Sequence, residues 1–84
     1  AAHALALAQL IMANRLPVRL HLLIAAAENA IGANAFRPGD ILRAINGVPV
    51  EATGDIDPVL RRAAPRIQIE AQRGSRNVFL RFRV

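Results

Sequence analysis

Asp40 to Ala52 read D-I-L-R-A-I-N-G-V-P-V-E-A and carry the clearest fold signal in the chain. Two short β-prone runs, 41–45 and 48–50, lie on either side of Asn46 and Gly47. An Asn-Gly pair between two such runs is the strongest short-range sign of a two-residue β-hairpin. Because Pro49 has no amide hydrogen, we expect its strand to lie at a sheet edge or to pair on one side only.

A helix and a second hairpin are predicted after this first hairpin. Asp57 followed by Pro58 has the pattern of a helix N-cap with proline at the first helical position, and the helix should run to about Ala64. Apolar and polar residues then alternate over 66–72 and again over 78–84, on either side of an Arg-Gly-Ser turn. This alternation is typical of paired antiparallel strands.

The residues before the first hairpin predict a helix and then a strand. Residues 1–15 are strong helix formers and apolar on nearly every side, and Pro17 should end that helix. Residues 18–26 alternate in a way that predicts a strand. The whole chain, 1–84, is therefore expected to be one α+β domain of order α-β-β-β-α-β-β, a small mixed sheet with two helices.

The composition limits the classes of function. The 84 residues suffice for one small domain, and the absence of cysteine excludes disulfides and thiolate metal sites. The net charge of +5 comes from eleven arginines and no lysine. Since the arginines are scattered and the chain has no Tyr or Trp on which bases could stack, no nucleic-acid partner is expected. No membrane partner is expected either, because the apolar run 1–12 is too short to cross a bilayer.

A longer motif lies upstream and overlaps the first hairpin. It consists of Leu-Pro-Val at 16–18, Ala-Glu-Asn at 27–29 and Phe-Arg-Pro-Gly-Asp-Ile at 36–41. At this spacing, residues 1 to about 52 resemble the cytosolic leucyl aminopeptidases. In that family an N-T-D-A-E-G-R run follows and supplies metal ligands and an arginine, whereas residues 53–60 here read T-G-D-I-D-P-V-L. The family's catalytic lysine also has no counterpart in a chain without lysine.

The resemblance therefore implies the scaffold of that family without its chemistry. No enzymatic activity, no metal and no cofactor are expected. Asp55 and Asp57 are the only carboxylates near the family's metal site, and two carboxylates alone make a weak, open cation site, so helix capping is the favoured interpretation. His3 and His21 have no carboxylate or serine at a defined spacing and form neither a zinc site nor a triad.

A second resemblance covers residues 36 to 84. The R-P-G-D-I-L run, the I-N-G-V-P-V turn, a short helix and a closing hairpin resemble the C-terminal half of a bacterial PDZ domain. Such domains bind peptide C-termini by adding a strand between a strand and a helix, here 18–24 and 57–64. The candidate peptide-binding residues are Val18, Leu20, Leu22, Val59 and Arg62. The segment before the candidate strand lacks the glycine-flanked loop that would grip a carboxylate, and Pro17 removes a donor.

Since both resemblances share the R-P-G-D-I-L run, we interpret the chain as an engineered or chimeric domain without an evolved catalytic function. Its aminopeptidase-like part is 1–35 and its PDZ-like part is 36–84. Two alternatives stay open. One is a PDZ-like peptide-binding module of a bacterial protease or secretion protein, and the other is an inactive leucyl aminopeptidase fragment.

Two further expectations concern packing. A helix apolar on nearly every side in so small a domain should leave an exposed patch, so self-association through the N-terminal helix is expected. The candidate dimer residues are Leu5, Leu7, Leu10, Ile11 and Met12. Within the chain, Ile41 and Ile45 should face a core shared with Leu20, Leu22, Ile69 and Leu80, unless Leu42 and Ala44 face it instead.

Overall fold

The computed structural model describes residues 10–12 and 14–84, and it confirms the α+β class. The strands are β1 (Leu10–Ile11), β2 (Ile41–Ile45), β3 (Val48–Pro49), β4 (Arg66–Arg73) and β5 (Arg76–Arg83). The helices are α1 (Val18–Ile31) and α2 (Ile56–Ala63), and a short 3-10 turn, Thr53–Asp55, leads into α2. In this part of the chain no helix has the length and apolar character needed to span a bilayer.

All described strands join one antiparallel sheet, so the predicted mixed sheet was wrong. The order is β1-β2-β4-β5, and β3 pairs with β2 beside this path. Both predicted hairpins are confirmed, and φ is 51° at Asn46 and 78° at Gly47, as a type I′ turn requires. Hairpins join β2 to β3 and β4 to β5. The connection through α1 from β1 to β2, and the one through β3 and α2 from β2 to β4, also place neighbouring strands in opposite directions.

The predicted strand over 18–26 was also wrong, because these residues begin α1. The buried residues Leu20, Ile24 and Ala27 recur at helical spacing and form the inner face of this helix. Gly32 ends it in the left-handed conformation with φ 70°, and its amide donates to the Asn29 carbonyl while that of residue 33 donates to the Glu28 carbonyl. This pair of bonds is the Schellman arrangement that glycine favours at a helix end.

The N-terminal helix predicted over 1–15 is contradicted where the structure describes it. Leu10–Ile11 form β1, which pairs with β2 through Leu10 and Leu42. The remainder of the prediction, including Leu5 and Leu7, lies outside the described residues. Leu10 and Met12 are buried within their own chain, so neither is free to line a dimer interface. Self-association through this segment stays a prediction.

The core lies between the inner face of the sheet and the two helices. A β-bulge between Leu42 and Ala44 shifts the alternation of β2, so that Leu42 and Ile45 are both fully buried. Each of the two alternatives for this strand was therefore partly right, while Ile41 is only half-buried. Leu22 was wrongly placed in the core, since it points outward from α1 and is 66% exposed.

Candidate functional site

The Arg-Pro-Gly-Asp motif folds as a tight turn between α1 and β2. The Asp40 amide donates to the Arg37 carbonyl at 3.1 Å, and Gly39 has φ 94°. These four residues form a type II turn, because the fourth residue bonds back to the first, Pro38 is second, and the third is a glycine with positive φ. Proline fixes the first central φ, and glycine accepts the second at no steric cost. The sequence therefore dictates this turn locally.

Asp40 is a buried carboxylate that joins the turn to β4. Its side chain is 2% exposed and accepts two hydrogen bonds from Arg73, from Nε at 2.8 Å and from Nη2 at 2.7 Å. The Arg37 amide donates a third at 2.9 Å. The hydrogen bond from Arg73 lowers the pKa of Asp40 from its ordinary 3.8, against the opposing effect of burial, and the same bond raises the pKa of Arg73. A bidentate pair of this kind fixes geometry as well as charge.

Glu28 holds the loop between α1 and the turn. Its Oε2 accepts from the amide of Ala35 at 2.7 Å and from that of Phe36 at 3.2 Å. From the other side, Arg73 Nη2 donates to the Ala35 carbonyl at 3.3 Å. Glu28 itself lies in the C-terminal part of α1. The Ala-Glu-Asn and Arg-Pro-Gly-Asp motifs are thus linked through carboxylates that bind backbone amides.

A small cavity of about 120 Å³ opens between α1 and this loop. Its titratable lining consists of His21, Glu28 and Arg37, and its apolar lining includes Ile24 and Phe36. Because both amides bind the Oε2 atom of Glu28, the cavity presents a guanidinium, an imidazole and the second carboxylate oxygen of Glu28.

Asp55 and Asp57, the two aspartates that the resemblance places near the family's metal site, differ in their hydrogen bonding. Asp55 Oδ2 accepts from the amides of Ala52 at 3.1 Å and Glu51 at 3.4 Å, and so closes the turn before α2. The predicted N-cap role of Asp57 was wrong, because α2 begins at Ile56, two residues before Pro58, and Asp55 occupies the N-cap position. Asp57 Oδ1 is buried without a hydrogen-bond partner in the described structure. Within residues 10–12 and 14–84, no three His, Cys, Asp or Glu side chains are grouped as a metal site.

The five candidate peptide-binding residues do not come together in one groove. Val18 and Leu22 are exposed on α1, while Leu20 on the same helix is buried in the core. Val59 and Arg62, on α2, line a separate hollow. Because 18–24 is helical, the predicted groove between a strand there and α2 does not form, and that geometry was wrong. Peptide binding by these residues is untested.

Sequence reasoning missed Arg73, which makes the main contact with Asp40. The two residues are 33 positions apart, and Arg73 lies in a strand that carries arginine at both ends. No local pattern distinguishes it from Arg66 or Arg76. The pairing of β4 with β2, in which Gln72 lies opposite Ile41, brings Arg73 beside Asp40.

These features define an α+β domain in which a helix, a carboxylate-bound loop and a type II turn lead into an antiparallel sheet. The chain belongs to the cytosol aminopeptidase family, whose catalytic-domain model matches residues 1–56. The chain is 63% identical over 30 residues to a probable cytosol aminopeptidase of Fusobacterium nucleatum, and these residues are 36% of this chain and 6% of that protein. It is 51% identical over 37 residues to a probable cytosol aminopeptidase of Roseiflexus castenholzii, and these residues are 44% of this chain and 8% of that protein.

A third relative, the probable cytosol aminopeptidase of Wolinella succinogenes, is 50% identical over 36 residues, which are 43% of this chain and 8% of that protein. The chain therefore spans less than a tenth of the length of the curated relatives it matches. No solved structure matches it. The resemblance to the aminopeptidases is thus confirmed at the level of family, for a segment of the catalytic domain.

Proposed function

We propose that this chain is a non-catalytic α+β domain in which the aminopeptidase-family segment serves as a structural frame. The observation that supports this most directly is the use of its carboxylates. Of the four in residues 1–56, Glu28, Asp40 and Asp55 accept hydrogen bonds that hold a loop or a turn. A carboxylate that ligates a catalytic metal has to present its oxygens to the ion instead.

The aminopeptidase activity named for the relatives belongs to proteins of which the chain matches 6–8%. Metal peptidases assemble their ligands and acid–base groups from several segments of a larger domain. We therefore propose that the chain carries the helix–loop–turn part of such a domain without the groups that perform hydrolysis. The absence of any lysine from the sequence supports this proposal.

We also propose a hybrid origin, in which residues 36–84 derive from a PDZ-like domain. The family match ends at residue 56, while the sheet continues through β4 and β5. The hairpin, helix and hairpin from Ile41 to Arg83 occur in the order that the PDZ resemblance implied. A PDZ-like peptide-binding module is accordingly the second candidate function.

Hydrolysis of leucine p-nitroanilide, with zinc or manganese added, tests the main proposal. We expect no release of nitroaniline above a blank that contains the metal alone. Asp55→Ala is the matched variant, because Asp55 is one of the two carboxylates that the resemblance places near the family's metal site, and it is exposed. Turnover by the unaltered chain that Asp55→Ala abolishes would show a working metal site and overturn the proposal.

A further inference from the structure

β5 is the last strand of the sheet, and among residues 10–12 and 14–84 no strand pairs with its outer edge. The Val84 amide donates to the Pro65 carbonyl at 2.9 Å, which marks this pair as hydrogen-bonded. Because hydrogen-bonded and non-hydrogen-bonded pairs alternate in an antiparallel ladder, the backbone groups of residues 77, 79, 81 and 83 point away from β4. They form a row of donors and acceptors open to an added strand.

The same alternate residues carry an exposed, basic face. Phe79, Arg81 and Arg83 are exposed, and Arg66 lies directly opposite Arg83. Within the described residues, none of these three arginines forms an ion pair, and Arg81 donates only to the Gln68 side chain at 2.7 Å. Two like charges directly opposite across a ladder are destabilising, and a negative ligand would relieve that repulsion.

The other side of the β5 edge is apolar. A groove of about 420 Å³ runs between α1 and β5. Its lining is mostly apolar, with Arg81 and Arg83 beside Leu23, Ala26, Ala27, Ala30, Ile31, Phe82 and Val84. Ile31 is 59% exposed at one end of the groove. A strand added to β5 would therefore place its side chains alternately over the arginines and into this groove.

We propose that the edge of β5 binds an extended acidic peptide as an added antiparallel strand. Two acidic side chains, separated by one residue, would face Arg83 and Arg81, and the apolar residues between and after them would enter the groove. Backbone hydrogen bonds would supply affinity, and the alternation would supply specificity, as in other cases of strand addition. This site goes beyond the proposed structural role and differs from the five residues expected from the sequence.

The positive charge of β5 favours an acidic peptide over a second copy of the chain as the added strand. β5 carries three arginines, at 76, 81 and 83, and no carboxylate, so pairing two copies would bring six positive charges together. An acidic strand removes the same repulsion instead of doubling it. Phe79 is the only exposed aromatic side chain on β5, which gives little surface for stacking bases and argues against single-stranded nucleic acid.

Fluorescence anisotropy with labelled synthetic peptides tests the proposal on the full chain. The probe is an alternating Glu–Val peptide, and the controls are an alternating Lys–Val peptide and a block peptide of the same composition, with all Glu before all Val. We expect the alternating acidic peptide to bind about tenfold or more tightly than the block peptide, which corresponds to about 1.4 kcal/mol. The Lys–Val peptide should not bind.

Two matched double variants separate the site from general charge attraction. Arg81→Gln with Arg83→Gln should weaken binding about tenfold. Arg15→Gln with Arg61→Gln removes the same charge from exposed positions outside the sheet and should leave affinity within about twofold. Ala26→Asp, at an exposed position of the groove, should also weaken binding without harming the fold.

Backbone pairing has its own test. Two peptides methylated on alternate backbone amides are compared. Methylation of the amides that face β5 should abolish binding, and methylation of the amides that point away from β5 should leave binding unchanged. The proposal is overturned if the block peptide binds as tightly as the alternating one, or if the Arg15 and Arg61 double variant weakens binding as much as the β5 variant. It is equally overturned if binding is absent, or if the chain's sedimentation mass doubles and a second copy occupies the edge.

Discussion

Asp40 holds together parts of the chain that are far apart in sequence. Its carboxylate binds the Arg37 amide and the Arg73 guanidinium, and its carbonyl accepts from the Met12 amide at 2.8 Å. One residue thus links the turn, β4 and the segment after β1. Removing one partner of a buried ion pair leaves the other charge without compensation, which costs more than losing an exposed pair.

We predict that Arg73→Gln lowers the free energy of unfolding by about 2–4 kcal/mol at neutral pH. This is below the full cost for a wholly buried pair, because the Arg73 side chain is 24% exposed. Arg76→Gln is the matched control, since it removes the same charge from an exposed position of the same hairpin. Urea unfolding measures both. A loss for Arg73→Gln no larger than for Arg76→Gln would show that the pair contributes nothing.

The pH dependence of this difference has a definite sign. The pKa of Asp40 is lowered in the folded chain relative to its ordinary value of 3.8. Its contribution is therefore complete above pH 3.8 and is lost as the pH falls through the lower, folded-state pKa. The gap between the unaltered chain and Arg73→Gln should narrow below pH 3.8. A gap that stays constant or widens in acid would assign the loss to packing instead.

At the scale of single elements, prediction succeeded where the signal was local. Asn46-Gly47 and the alternation of β4 and β5 determine their hairpins through turn chemistry and period, and both were predicted. α1 was misassigned because a short leucine-rich run fits either a helical or a strand period. The alanines after Ile24 and the C-cap at Gly32 decide for the helix, and together they outweigh the apparent alternation.

The bulge in β2 gives a test at this scale. We predict that Leu42→Ala and Ile45→Ala each cost about 2–5 kcal/mol, because both side chains are fully buried despite their odd spacing. Ile41→Ala, on the half-buried side, should cost about 1 kcal/mol. Urea midpoints for the three variants measure this. A regular strand without the bulge would instead make Ile41 and Ile45 the costly pair and Leu42 nearly neutral.

At the scale of the whole molecule, the family match and the folded unit have different boundaries. The match ends at residue 56, but the fully buried residues Leu60, Ile69 and Ala71 come after it. The candidate site could be predicted only in part for the same reason. Its turn and loop are encoded locally, whereas the Arg73 contact depends on the pairing of β2 with β4, a strand far along the chain.

This difference predicts that residues 1–56 cannot fold without the remainder. β2 would lose its pairing with β4, and Asp40 would lose Arg73. The core would also lose the buried side chains of α2, β4 and β5. A chain of fewer than about 60 residues buries too small a fraction of its surface to remain folded after such a loss. We expect circular dichroism of a 1–56 peptide to show at most partial helix and no cooperative urea transition, because an isolated helix as short as α1 is marginal in water. The full chain should unfold in one cooperative step, and a cooperative transition in the 1–56 peptide would instead make the family segment an independent folding unit.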